Sequence, residues 1–188
     1  LPIILLHGYP EFWYSWRSVA ADLGARGYRV IVPDQRGYNL SDKPASVDAY
    51  RLDVLARDIV ALKMMLGYEK VFLAGHDFGG LVAWWTLILF PEHIARAVIV
   101  NKPHPYAAKL FPAEEDTRTA WDREGAIHTM GKWYRANADF DLEVDDIRIS
   151  VPTQLLIAAD DAFSALDLQM NTEEFLLDGE VVPLGVGT

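Results

Sequence analysis

The stretch Val71-Phe72-Leu73-Ala74-Gly75-His76-Asp77-Phe78-Gly79-Gly80 sets an acidic side chain among small residues, where an apolar run gives way to a second, longer one. Small-x-nucleophile-x-small is the form of a nucleophile elbow: a strand turns sharply into a helix, and the central side chain is left exposed above the sheet. Asp77 holds that central position, and the N-terminus of the following helix favours negative charge there. A Gly-rich strand–helix turn with an inert Asp has the same pattern, so the spacing alone leaves both readings open.

The residue type narrows the chemistry. A carboxylate attacking an ester or amide gives a labile mixed anhydride, whereas at a strained or activated saturated carbon it gives an ordinary alkyl ester. Water must then cleave that ester at its carbonyl, which calls for a general base and an oxyanion hole. Epoxides and alkyl halides fit this chemistry; lipids and peptides do not. In His7-Gly8-Tyr9-Pro10, after the first apolar run, the backbone N–H of Tyr9 is expected to point into the site, with the N–H of Phe78 as its partner in the oxyanion hole. His7 reads as a loop brace. His76 flanks the exposed position and reads as structural.

An alternation of strand and helix must position these groups. Apolar runs at 1–6, 28–32, 71–74, 95–100, 153–158 and 181–186 read as strands. Ser15 is expected to cap a helix at 15–26 with Trp16, Val19, Ala20 and Leu23 on one face; further helices are expected at 50–66 and 79–90, the last closed by Pro91. Strand alternating with helix implies an α/β fold with a mostly parallel sheet covered on both faces. Residues 102–146 break the rhythm with Pro103, Pro105 and Pro112 and a helical stretch at 114–136, and read as a reduced helical lid between two core segments, 1–101 and 147–188.

Composition limits the partners. A net charge of −10 argues against nucleic acid, whose phosphates need a basic surface. No run is apolar for long enough to span a membrane. The chain has no cysteine, which rules out thiolate metal sites and disulfides and fits a reducing cytoplasm. No HExxH, Walker loop or strand-borne GxGxxG is present, so neither metal nor nucleotide cofactor is expected. Six Trp, eight Tyr and eight Phe suit either an apolar pocket or ordinary core packing.

Four motifs in order give a resemblance. His7 to Arg17, Pro33 to Pro44, the elbow at 75–80 and Asn101-Lys102-Pro103-His104-Pro105 together resemble the epoxide hydrolases of the α/β-hydrolase superfamily. The likeness runs nearly unbroken over 1–106 and resumes from about 120. It implies an α/β-hydrolase core that opens a small apolar epoxide with water, without a cofactor. Asp77 would be the nucleophile and Asp161 the triad acid, with the adjacent Asp160 as the alternative. Tyr134 would be a lid tyrosine that protonates the leaving alkoxide; without the resemblance it reads as packing on an aromatic helix face. Haloalkane dehalogenases typically carry Asn at the position of Tyr9 and Trp at that of Phe78, and haloacetate dehalogenases an Arg after the nucleophile. A dehalogenase, or a non-catalytic binder of small ligands on the same fold, is the competing reading.

The sequence also departs from the family. A triad histidine should follow the acid, yet His7, His76, His93, His104 and His128 all precede Asp161, and the first lid tyrosine is missing between about 110 and 121. Both ends look like cuts, so the expectation is a longer parent enzyme. In these 188 residues the expectation is an Asp77 that can be alkylated without release of product.

Overall fold

The computed structural model describes residues 1–107, 133, 136–137, 142–158 and 169–185. Six strands, β1 (Ile3–Leu6), β2 (Val30–Ile31), β3 (Val71–His76), β4 (Ile94–Val100), β5 (Thr153–Ala158) and β6 (Gly179–Leu184), form one sheet. Their order is β2-β1-β3-β4-β5-β6 and every neighbouring pair is parallel. Three α-helices, α1 (Arg17–Ala25), α2 (Leu52–Met65) and α3 (Phe78–Leu89), connect the first four strands.

Parallel neighbours need crossovers, and crossovers are right-handed. The chain moves one way from β1 to β2, then reverses to reach β3 and β4. Right-handedness therefore puts α1 on one face of the sheet and α2 and α3 on the other, and α2 indeed packs on α3. The reversal lies between β1 and β3, where the helices diverge; in open parallel sheets this switch point is where ligand sites form.

The core follows from the patterns. In β1, Ile4, Leu5 and Leu6 are buried; in β3, burial alternates along the strand, with Val71, Leu73 and Gly75 inside. In α2 the buried positions Leu52, Leu55, Ala56, Ile59 and Lys63 recur at helical spacing. Lys63 is tolerated there because its ammonium donates to the Glu69 carbonyl at 2.8 Å and meets His93 Nδ1 at 2.8 Å. Nine of the twelve residues of α3 are buried, which suits its almost wholly apolar sequence between the sheet and α2. Pro91 ends it, having no N–H to continue the ladder.

Several boundaries differ from the sequence reading. Ser15 does not cap a helix: Trp13–Trp16 form a 3₁₀ turn first, and the Ser15 hydroxyl donates to the Phe12 carbonyl within it. No residue of α1 is buried, because the strand beside it, β2, is a two-residue edge strand that offers little surface. The helix expected from residue 50 begins at Leu52, after a 3₁₀ turn at Asp48–Tyr50 and an extended Arg51. β3 runs on to His76, and β6 starts at Gly179.

Of the helical stretch expected at 114–136, Trp133 and Ala136 are described, and Asn137 follows just beyond it. Trp133 is buried, with its ring edge-on to Tyr38 and Phe78 and its indole N–H donating to the Arg36 carbonyl at 3.3 Å. One turn on, Asn137 accepts from the Leu52 N–H at 2.9 Å and donates to the Tyr50 and Trp133 carbonyls. α2 has no side-chain cap of its own, so Asn137 supplies one from 85 residues away.

Candidate active site

β1 and β3 are hydrogen-bonded neighbours, so the loops leaving their carboxyl ends are neighbours too. Asp77 lies between β3 and α3 with φ 49° and ψ −118°. That conformation is sparsely populated for a residue with a side chain and costs about 1–3 kcal/mol. The turn holds because the chain packs tightly through it. A Cβ on Gly79 would lie 2.3 Å from the Leu6 carbonyl oxygen, so only glycine lets α3 start so close to β1.

The two carboxylate oxygens of Asp77 have different surroundings. Oδ1 accepts a hydrogen bond from the Tyr9 N–H at 3.1 Å. Oδ2 faces the Lys102 ammonium at 3.7 Å. A third of the Asp77 side chain is exposed (33%), so its carboxylate is not buried under the helix. Phe78 is the first residue of α3, so its N–H lies in the first turn of that helix, directly after Asp77.

The histidines have other tasks. His7 is fully buried; its Nδ1–H donates to the Gly8 carbonyl and its Nε2 accepts from the Gln35 N–H at 3.1 Å, while Gln35 returns a bond to the His7 carbonyl. Both ring nitrogens are used in bracing the loop, and burial pushes its pKa below the usual histidine value. His76 turns towards Glu11, His93 towards Lys63, and His104 stacks on Phe175 at 4.3 Å. Among the described residues, no histidine is bonded to Asp77.

Of the site residues expected from sequence, the structure brings together Asp77, Tyr9 and Phe78. Asp161, the neighbouring Asp160, Tyr134 and His128 lie outside the described residues. The sequence reading missed Lys102. Its signal was indirect: it follows β4, the strand hydrogen-bonded to β3, so the loops after both strands had to be neighbours. A cleft of about 310 Å³ opens elsewhere, lined by Asp34, Arg36, Asp42, Asp58, Leu55 and Ile59 among others, and Asp77 takes no part in it. Its Arg36–Asp58 pair (2.6 and 2.7 Å) ties the loop after β2 to α2.

Comparison with known proteins agrees with this architecture. The family described as alpha/beta hydrolase fold matches residues 2–127. The AB hydrolase superfamily protein YfhM of Bacillus subtilis is 33% identical over 230 residues, covering 96% of this chain and 80% of that protein. That alignment is longer than this chain, so the relative carries stretches inside the match that are missing here. Epoxide hydrolase 4 of Mus musculus is 47% identical over 103 residues, 55% of this chain but 28% of that protein's length. The crystal structure of epoxide hydrolase A from Mycobacterium thermoresistibile superposes with a TM-score of 0.82 at 20% identity, over 99% of this chain and 84% of that one, a likeness of fold. The chain belongs to the α/β-hydrolase family, and epoxide hydrolases are among its homologues and structural neighbours.

Proposed function

We propose that the chain carries the nucleophile site of an epoxide hydrolase, with Asp77 forming an alkyl ester with the substrate. The observation that carries this reading is the asymmetry of the Asp77 carboxylate. Oδ1 is held by a backbone N–H, while Oδ2, with the Lys102 ammonium at the longer distance of 3.7 Å, is the oxygen that attacks. In the first step Oδ2 bonds to a ring carbon and the ring C–O bond breaks, its electron pair going to oxygen, which takes up a proton. Tyr134 is the proposed donor. In the second step water attacks the ester carbonyl and loses a proton to a base, and Oδ1 becomes the oxyanion beside the Tyr9 and Phe78 N–H groups. Collapse of the intermediate breaks the Cγ–Oδ2 bond, releasing the diol with Oδ2 and leaving the water oxygen on Asp77. That step needs a base, with Asp161 proposed to orient it.

The residue types favour an epoxide over a halide. Phe78 has a hydrocarbon ring, which offers no N–H to a departing halide. The two chemistries also leave different masses on the protein. An epoxide adds whole, because its leaving oxygen stays attached; an alkyl halide leaves only its alkyl group.

Intact-mass and peptide mass spectrometry after incubation with styrene oxide tests the reading. The expected result is a gain equal to the whole epoxide on the peptide containing Asp77, and none in Asp77→Asn, whose amide oxygen is a far weaker nucleophile. In 18O water, any turnover writes label into Asp77. An adduct that persists in Asp77→Asn would overturn the proposal.

A further inference from the structure

Lys102 is a charged residue beside Asp77 that the reaction above does not use. Its position is built rather than incidental. Asn101 before it takes a positive φ of 49°, and its side-chain oxygen accepts from the Ala158 N–H at 2.8 Å. The Lys102 carbonyl accepts from the Trp84 indole N–H at 2.9 Å. With its backbone so fixed, the side chain carries Nζ to 5.5 Å from the centre of the Phe78 ring and 3.7 Å from Asp77 Oδ2. The ammonium is partly open to solvent, with 28% of the side chain exposed.

A cation at that spot is a handicap for a neutral substrate. It draws charge from the attacking oxygen, and their attraction must be loosened before attack. An anionic substrate reverses the balance. Its negative group would be repelled by Asp77, and by a protein of net charge −10, unless a local cation offset both. At 3.7 Å the Lys102–Asp77 contact is longer than a hydrogen bond, so the ammonium has donors to offer a second acceptor.

Resting on the Asp77 reading, we propose that Lys102 selects epoxides bearing a carboxylate on a ring carbon, exchanging its contact with Oδ2 for one with the substrate. In a backside displacement the attacking oxygen, the carbon and the departing oxygen lie in line, and other substituents on that carbon stand to the side. A carboxylate there is one bond from the reacting carbon, beside Oδ2 and facing Nζ. Lys102 thus neutralises the approaching anion and releases Oδ2 in the same movement.

The test compares the rates at which Asp77 in the full chain is alkylated by glycidate and by neutral glycidamide, followed by intact mass. Each rate is divided by that of the same epoxide with free acetate, which removes intrinsic reactivity. The wild type should prefer glycidate by about tenfold or more, and less so at high salt. Lys102→Met and Lys102→Gln should lose the preference, while Lys102→Arg retains most of it. An equal fall for both epoxides would make Lys102 a general aid to ring opening or to folding and overturn the selectivity; so would a wild type with no preference. Failure of both these epoxides and styrene oxide to label Asp77 would sink the nucleophile reading, and the selectivity with it.

Discussion

At Asp77 a backbone hydrogen bond to Oδ1, with an ammonium beside Oδ2, separates two oxygens that chemistry would otherwise treat alike. The Tyr9 N–H that makes this distinction is positioned by Gly8, and a Cβ on Gly8 would lie 2.8 Å from Asp77 Cβ and 3.1 Å from Oδ1. We expect Gly8→Ala to push the Tyr9 loop off the carboxylate. Asp77 alkylation should slow by roughly 10–100-fold, the scale of losing an oriented donor or a correctly placed nucleophile; a mass-spectrometric time course with styrene oxide would measure it. Asp77 and Tyr9 were legible in the sequence because each sits in a local pattern, a strand running into a turn of small residues. Lys102 was not. Its place beside Asp77 depends on the register between β3 and β4, which sets His76 opposite Val100, and no local pattern encodes that pairing.

Among the elements, α2 shows where a local reading stops. Its apolar spacing was readable, but its start was not, because the group that completes its first turn is Asn137. Removing that group leaves the Leu52 N–H and the Tyr50 carbonyl without this partner. Asn137→Ala should therefore cost about 1 kcal/mol of stability, read as a lower denaturant midpoint. Faster amide hydrogen exchange at Leu52 would identify the lost cap as the cause. α1 is the converse case. Its amphipathic spacing was present in the sequence, yet burial requires a surface to pack on, and a two-residue edge strand does not supply one.

Over the whole molecule, stability is coupled to pH through groups taken out of water. His104 is fully buried, and burial pushes its pKa down to about 3. Unfolded, a histidine takes up its proton near pH 6.5. Between those two values the unfolded chain binds the extra proton, so stability is fully present above about pH 6.5 and declines as the pH falls towards 3. Burial lowers His7 as well, and it contributes in the same direction. Denaturant midpoints measured from pH 7.5 down to 4.5 should fall. In His104→Phe, which keeps the stack on Phe175, the slope should be shallower even if the bond that His104 Nδ1 accepts from the Tyr106 N–H is missed at every pH. The sheet has a kinetic consequence too. β1 pairs with β3, setting Ile3 beside Phe72, and that contact closes a loop of nearly seventy residues before Tyr9 can reach Asp77. Closing so long a loop is slow relative to forming helices. The pairing of Asp77 with Tyr9 is therefore assembled late: a half-folded chain, however helical, has its aspartate but not yet the backbone donor that holds it in place.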